Sequence, residues 1–294
     1  MAQNPDVTGR EILPIPDRPS KGKMALDARK AEFPAIKPLR PPEGAPNVVI
    51  VLIDDMGFGA PSVTGGPCNM PAMQKIHDDG LLYNRFHTTA LCSPTRQALL
   101  TGRNHHSAGM GSVAEVATGA PGNDSVRPNT VATVAEMLRL NGYNTGAVGK
   151  MHQTPVWEVS MSGPFDRWPT GDGFEKFYGF VGGETNQWAP TLFMGTTPVE
   201  PPATAEEGYH VSEDMVDKAI AWIRGLHTMT PDKPFFLFCS FGATHAPHHV
   251  GQEWIEKYEG KFDKGWDAVR EETLANMKAK GVVPQDAELT GRPE

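Results

Sequence analysis

The sequence is poor in cysteine and in basic side chains, and it contains no long hydrophobic run. Its three cysteines, Cys68, Cys92 and Cys239, are odd in number and widely spaced, which excludes a disulfide framework. No stretch approaches the roughly 18 consecutive apolar residues of a transmembrane helix. There are 27 Lys and Arg against 35 Asp and Glu, and this net charge of −8 argues against a nucleic-acid-binding surface. We therefore expect neither a membrane nor a nucleic acid as partner.

The N-terminal segment lacks the features of an export signal. Its first 23 residues contain no apolar stretch of the kind that a secretory signal needs, so we expect a cytoplasmic protein. Residues 1–46 hold nine of the 27 prolines and show almost no apolar periodicity. We interpret residues 1–46 as a Pro-rich arm that precedes a main domain over residues 47–294.

Apolar runs alternate with helical patterns along the main domain. The 31 glycines and 27 prolines predict many turns and few long helices, which disfavours a coiled coil or a helical bundle. The run NVVIVLI at residues 47–53 is continuous and β-branched, as is typical of a strand buried on both faces. Further strands are predicted at 82–89, 145–150 and 234–242, and helices at 71–79, 93–100, 129–140 and 212–224. This order predicts an α/β fold with a mostly parallel central sheet flanked by helices.

Charged residues directly follow the first predicted strand. In open α/β sheets the functional groups gather beyond the carboxyl ends of the strands, so these positions are candidate site residues. Asp54 and Asp55 occupy them. Paired carboxylates suit a hard divalent cation such as Ca²⁺ or Mg²⁺. A helix cap or a solvated turn is the alternative interpretation of the same pair.

A cysteine stands at the start of a predicted helix. Cys92 begins the segment CSPTR, where the helix N-terminus favours an anion, and Arg96 lies one turn further on. The pair suggests a nucleophile in an anion-binding site, with a buried structural thiol as the alternative. Cys239 lies inside an apolar run and is expected to pack in the core.

Titratable residues also follow the two later strands. Lys150 and His152 share a face in extended geometry, and they form either part of a site or a solvated strand end. His245 follows the last strand in a small-residue loop, a position that suits acid–base catalysis or anion binding. Zinc binding is the alternative role for this histidine, but its spacing to His248 and His249 does not match that of a usual zinc site.

Several motifs together resemble those of one enzyme family. The chain is similar to type I sulfatases, the formylglycine-dependent arylsulfatases of the alkaline-phosphatase superfamily, over about residues 47–250. The matching blocks are CSPTR with ALLTGR, NVVIVLIDDMGFG, GYNTGAVGKMH, FGATHAPHH and GFEKFYGFVGGETNQW. The resemblance implies a sulfatase-like catalytic domain over residues 47–294 and hydrolysis of small-molecule sulfate esters.

The resemblance also implies a modified nucleophile and a metal. In that family a maturation enzyme oxidises the signature cysteine to formylglycine, whose hydrated aldehyde attacks sulfur; here that residue would be Cys92. Asp54, Asp55 and the modified Cys92 would bind the metal, normally Ca²⁺ with Mg²⁺ as the alternative, and Arg96 would hold the nucleophile.

The same comparison implies roles for the remaining candidates. Lys150 and His245 would contact the sulfate, and His152 would donate or accept a hydrogen bond at the formylglycine. His245 would also be the proton donor to the leaving group.

One departure from the family pattern concerns the end of the chain. The family's remaining metal ligands, an Asp-Asn pair, and a second active-site lysine lie downstream of the block that contains His245. Residues 266–294 contain no Asp-Asn dipeptide. We therefore expect a sulfatase truncated at its C-terminus, without the C-terminal subdomain, that binds Ca²⁺ poorly and turns over little. A phosphate or phosphonate monoester hydrolase, or a non-catalytic remnant of the fold, are the alternatives.

Overall fold

The computed structural model describes residues 21–292, and these fall in two compact units that divide between Leu39 and Arg40. Within the first unit, Lys23 and Glu32 form an isolated antiparallel bridge around a short 3₁₀ turn, Ala28–Lys30. The part of the predicted arm that precedes residue 21 lies outside the described residues. The arm with its boundary at residue 46 stays a prediction.

A six-stranded sheet forms the centre of the second unit, in the order β1-β6-β2-β3-β4-β5. The strands are β1 (Val48–Leu52), β2 (Asn144–Lys150), β3 (Lys176–Phe180), β4 (Leu192–Met194), β5 (Thr197–Val199) and β6 (Phe235–Ser240). The pairs β1–β6, β6–β2 and β2–β3 are parallel, and the last two pairs are antiparallel. This confirms the predicted α/β fold with a mostly parallel sheet.

Six α-helices accompany the sheet within residues 21–292. They are α1 (Pro71–Asp79), α2 (Cys92–Thr101), α3 (Val134–Leu140), α4 (Val211–Met229), α5 (Gln252–Glu256) and α6 (Gly265–Ala279). Helix α3 begins later than predicted because Thr133 caps it, its hydroxyl accepting from the Glu136 N–H at 3.1 Å. Among these described helices none has both the length and the apolar character needed to cross a bilayer.

Two apolar cores lie on opposite faces of the sheet, because successive strand residues point to opposite sides. In β6, Phe236 and Phe238 belong to the core that includes Leu100 of α2 and residues of α3. Leu237 and Cys239 belong to the other core, which α4 covers. Burial raises the pKa of the Cys239 thiol to about 11, and its predicted packing role is confirmed.

Two predictions about strands are wrong. Residues 82–89 form turns and irregular chain between α1 and α2, with most side chains exposed; no strand among the described residues pairs with them. Strand β1 is not buried on both faces, because it is the outermost strand of the described sheet and the side chains of Val49 and Val51 are about half exposed. Strands β3, β4 and β5 and helices α5 and α6 were not predicted.

A fully buried carboxylate links the start of α3 to the segment before β3. Arg127 donates to a carboxylate oxygen of Asp172, and the Thr133 hydroxyl donates to the Asp172 carbonyl. Burial raises the pKa of Asp172 to about 6, although Arg127 opposes that shift. The folded state therefore binds the proton more tightly than the unfolded chain, and this group's contribution to stability falls as the pH rises from about 4 through 6.

Arg127→Met is predicted to make stability more sensitive to pH. Without the cation, the pKa of the buried Asp172 carboxyl rises further, so ionising that group at pH 7.5 costs more while the protonated form at pH 5 is less affected. The substitution should therefore lower the free energy of unfolding more at pH 7.5 than at pH 5, and the difference between the two losses should be on the order of 1 kcal/mol. Urea unfolding at each pH measures both losses. Arg139→Met, which breaks a partly exposed pair with Glu136, is the control. Equal losses at both pH values would contradict this account.

Candidate active site

Three parallel strands bring polar side chains together at their carboxyl ends. Asp54 follows β1, Ser240 ends β6 and Lys150 ends β2. The loops after β1 and β6 are joined directly, since the Asp54 N–H donates to the Ala243 carbonyl at 3.0 Å and the Thr244 N–H donates to the Asp54 carbonyl at 2.7 Å. The segments that follow β1 and β6 are therefore held against each other at this edge of the sheet.

A glycine is required beside this site. Gly149 adopts a left-handed backbone with φ of 99° directly before Lys150. A methyl group added there would lie 1.8 Å from the Ser240 carbonyl oxygen, which no repacking of a flexible side chain relieves. The close approach of β2 to β6 at this point depends on the absent side chain.

Two buried cations share one buried carboxylate. Arg96 donates from Nη2 to Asp54 Oδ1 at 3.0 Å, and Lys150 donates from Nζ to Asp54 Oδ2 at 2.5 Å. Side-chain exposure is 1% for Arg96, 0% for Lys150 and 5% for Asp54. Arg96 also donates from Nη1 to the Lys150 carbonyl at 2.9 Å and to the Ser240 hydroxyl. One negative charge thus faces two positive charges, which leaves the cluster with an excess of positive charge for an anion.

The opposite charges in this cluster offset the energetic cost of burying them. Desolvation opposes the ionised form of Asp54, yet Arg96 and Lys150 outweigh it and hold the pKa of this carboxyl below its usual value. Burial lowers the pKa of the Arg96 guanidinium, and Asp54 offsets part of that shift. Arg96 Nε is buried and has no hydrogen-bond partner within the part of the chain that the structure describes, so one donor of this guanidinium is unsatisfied there.

The predicted nucleophile lies against a histidine. Cys92 is the first residue of α2, and its Sγ lies 3.0 Å from His152 Nδ1. The other ring nitrogen, Nε2, lies 2.7 and 2.8 Å from the two carboxylate oxygens of Glu115. Burial lowers the pKa of His152, with Glu115 opposing the shift and Lys150 adding to it. The ring is therefore placed to exchange a proton with residue 92.

Glu115 is absent from the residues predicted from the sequence. It lies in a short 3₁₀ turn, Ala114–Val116, within a segment that has no apolar run and matches none of the quoted motifs. Its contact with His152 spans 37 positions of the chain. No local pattern in the sequence indicated that contact.

His245 lies apart from the Cys92–His152 contact. Its Nε2 is 3.9 Å from an oxygen of Asp55, its Nδ1 is 3.8 Å from an oxygen of Glu184, and Nδ1 also lies 2.7 Å from the Ala246 carbonyl oxygen. The side chain is 27% exposed. His245 therefore lies at the open side of the site, next to the exposed Asp55. Arg96, Lys150 and His152 are buried and form the interior of the site, and Cys92 is partly buried beside His152.

The carboxylates predicted to bind a metal, Asp54 and Asp55, do not by themselves complete the ligand set of a calcium ion. Both oxygens of Asp54 are engaged by cations, and the Asp55 side chain is 61% exposed. Ca²⁺ takes about six to eight oxygen ligands. Within residues 21–292 no group of three or more His, Cys, Asp or Glu is arranged to hold a metal ion. The carboxylates have the right chemistry for calcium, but the donors within residues 21–292 are too few to fit it.

Two cavities border the site. A cleft of about 240 Å³ is lined by Asp54, Asp55, Cys92 and Arg96 among others, so it reaches the predicted nucleophile and one of the two buried cations. A second cavity of about 590 Å³ is lined by Glu184 and His249 together with apolar side chains that include Phe180 and Val159. Glu184 is the residue that also faces His245, so the second cavity opens beside that histidine. A larger apolar groove between α6 and residues 59–67 includes none of the site residues.

Excess buried positive charge beside a nucleophilic side chain, at the carboxyl edge of a parallel sheet, is the arrangement of an enzyme that acts on anions. The sequence model of one family, named Sulfatase, matches residues 46–288. The chain belongs to the sulfatase family.

Individual relatives agree with this membership. The chain is 29% identical over 255 residues to the arylsulfatase of Klebsiella aerogenes, covering 83% of this chain and 52% of that protein. It is 29% identical over 251 residues to the N-acetylgalactosamine-6-sulfatase of Rattus norvegicus, covering 77% of this chain and 44% of that protein. The solved structure of Ps i-CgsB shares the fold, with a TM-score of 0.57 and 21% identity over 81% of this chain and 53% of that one. The chain thus spans about half the length of the curated relatives it matches.

Asp54→Asn is predicted to destabilise the protein by about 3 to 5 kcal/mol, because it leaves two buried cations without their counter-ion. Asp55→Asn removes the adjacent carboxylate, which is exposed, and should change the unfolding free energy by less than about 0.5 kcal/mol. Urea unfolding monitored by circular dichroism measures both. Equal effects of the two substitutions would show that the buried charge cluster is not what holds the site together.

Proposed function

We propose that this chain carries the nucleophile and the anion-binding residues of a sulfate ester hydrolase of the arylsulfatase type. The observation that supports this most directly is the position of Cys92 Sγ, 3.0 Å from a histidine nitrogen and on the same helix as buried Arg96. Family membership and the relatives' names support the same activity.

The interior residues have distinct tasks in this proposal. Lys150 and His245 contact the sulfuryl oxygens, and Arg96 holds residue 92 in place. The positive charges of Arg96 and Lys150 stabilise the charge that develops on the sulfuryl group, which is usually the largest contribution in sites of this kind. Their burial strengthens that interaction because water does not screen it. His152 exchanges a proton with the side chain of residue 92, and His245, on the open side, donates a proton to the departing alcohol.

Residue 92 would act as formylglycine, made from the cysteine by a maturation enzyme that is then a partner of this chain. The hydrated aldehyde supplies one hydroxyl that attacks sulfur and a second that allows sulfate to leave, which a thiol or a serine hydroxyl does not offer. Every other task in this proposal belongs to side chains that the chain already contains.

Asp54 and Asp55 are the carboxylates that this chain would contribute to a Ca²⁺ site, with Mg²⁺ as the alternative ion. Because the donors within residues 21–292 are too few for Ca²⁺, no task above is assigned to the metal. The cavity beside His245 and Glu184 is the position proposed for the alcohol part of the ester. Cytoplasmic localisation stays a prediction from the sequence.

Co-expression with a formylglycine-generating enzyme is predicted to lower the intact mass of the chain by about 18 Da, the change expected for conversion of a cysteine thiol to an aldehyde. Mass spectrometry of the whole chain and of the peptide that contains Cys92 measures it. Cys92→Ser is the matched control and should keep its calculated mass. An unmodified thiol under these conditions would instead favour a non-catalytic remnant of the fold.

The matured chain is predicted to release nitrophenol from nitrophenyl sulfate with a higher kcat/KM than from nitrophenyl phosphate. A phosphate monoester carries more negative charge and demands more positive charge than two cations facing one carboxylate provide. Turnover is expected to be slow because the metal donors are incomplete, and Cys92→Ser should abolish it. A preference for the phosphate ester would favour the alternative, a phosphate or phosphonate monoester hydrolase.

A further inference from the structure

The contact between His152 and Glu115 has no role in the function proposed so far. We propose that Glu115 is a positioning residue, which holds the proton of His152 on Nε2 and so turns the unprotonated Nδ1 toward residue 92. This inference rests on the proposed function for its catalytic meaning, but the contact itself does not depend on that function.

The chemistry of the carboxylate decides which nitrogen carries the proton. An ionised carboxylate only accepts hydrogen bonds, so Nε2 must be the donor in its contacts of 2.7 and 2.8 Å with Glu115. A neutral imidazole has a single N–H, and Nδ1 then presents its lone pair to Cys92 Sγ at 3.0 Å. The opposite tautomer would leave two acceptors facing each other at Nε2. A carboxylate that fixes a catalytic histidine in this way acts on the orientation and tautomer of the ring.

The turn that contains Glu115 is attached to the helix that presents the nucleophile. The Ala114 N–H lies 3.4 Å from the hydroxyl oxygen of Ser93, and the Val116 N–H donates to the Val113 carbonyl at 3.1 Å. Ser93 is fully buried and is the neighbour of Cys92 in α2. Helix α2 therefore carries Cys92, which contacts Nδ1 of the His152 ring. The same helix, through Ser93, also holds the turn whose Glu115 contacts Nε2.

Gly183 lies beside the contact between His152 and Glu115 and leaves no room for a side chain there. A methyl group at Gly183 would lie 2.8 Å from His152 Nε2 and 3.0 Å from Glu115 Oε1. Both distances are shorter than ordinary van der Waals contact, so a side chain at position 183 would force the imidazole and the carboxylate apart. Gly183→Ala therefore disturbs the contact while leaving the carboxylate in the protein.

The direct test is the tautomer of His152, measured by long-range ¹H–¹⁵N NMR on the ¹⁵N-labelled chain with Cys92 unmodified. The wild-type ring is expected to show a protonated Nε2 and an unprotonated Nδ1. In Glu115→Ala the two nitrogens should shift toward a mixture of tautomers, and Gly183→Ala should shift them in the same direction. Glu115→Gln should keep the wild-type pattern, because its amide oxygen still accepts from Nε2.

Glu136→Gln is the matched control for the lost charge, since Glu136 is also partly exposed and its partner is Arg139. It should leave the His152 signals unchanged. Thermal unfolding of each variant checks folding, and Glu115 is about half exposed, so little change is expected from its substitution. A protonated Nδ1 in the wild type, or identical His152 signals in the wild type and Glu115→Ala, would overturn the proposal.

Kinetics of the matured chain add a second readout. Glu115→Ala is expected to lower kcat for nitrophenyl sulfate roughly tenfold or more with little change in KM, and Glu115→Gln should recover most of that loss. A loss in KM alone would contradict a positioning role. If the matured wild type hydrolyses no sulfate ester, the proposed function fails while the tautomer result still decides the role of Glu115. If it does hydrolyse the ester and Glu115→Ala changes neither signals nor kcat, only this inference fails.

Discussion

The carboxylate of Asp54, held between Arg96 and Lys150, is the interaction on which the site depends. It joins the segment after β1, the helix α2 and the end of β2, so three parts of the chain that are far apart in sequence meet at one buried group. Burying three charges is costly, and the cost is recovered only while all three are paired. The same cluster keeps an excess of positive charge on α2, the helix that carries Cys92, and the proposed function uses this charge to bind an anionic ester. Stability and the proposed anion binding would therefore depend on the same contacts.

The same cluster limits how a metal ion could bind. Both Asp54 oxygens already face cations. The other predicted carboxylate ligand, Asp55, lies on the exposed side of the site with His245. The chain spans about half the length of its curated relatives. Within the described sheet, β1 is the outermost strand, and the side chains on one of its faces are about half exposed. The chain nevertheless belongs to the sulfatase family, because the family model matches residues 46–288.

Much of this was predictable because it is local. The apolar runs of β1, β2 and β6 and the charged residues after them, such as Asp54 and Lys150, can be identified without knowing any tertiary contact. Residues 82–89 show the limit of that reasoning: their apolar and aromatic side chains favour a strand, but a strand forms only where a neighbour pairs with it. The short strands β4 and β5 were missed for the related reason that three residues carry too little periodicity to be recognised.

The sequence by itself determined the class of fold, the family resemblance and the order of the chemical groups: a cysteine at a helix start, an arginine one turn later, and basic residues at two strand ends. Only the tertiary structure decided their pairing. It placed Arg96 and Lys150 on one carboxylate, left His245 on the open side, and set Glu115 against His152 across 37 positions of chain. Periodicity and motif spacing encode contacts between near neighbours, whereas the path of a loop, and hence the partner of a histidine, depends on how the whole sheet packs.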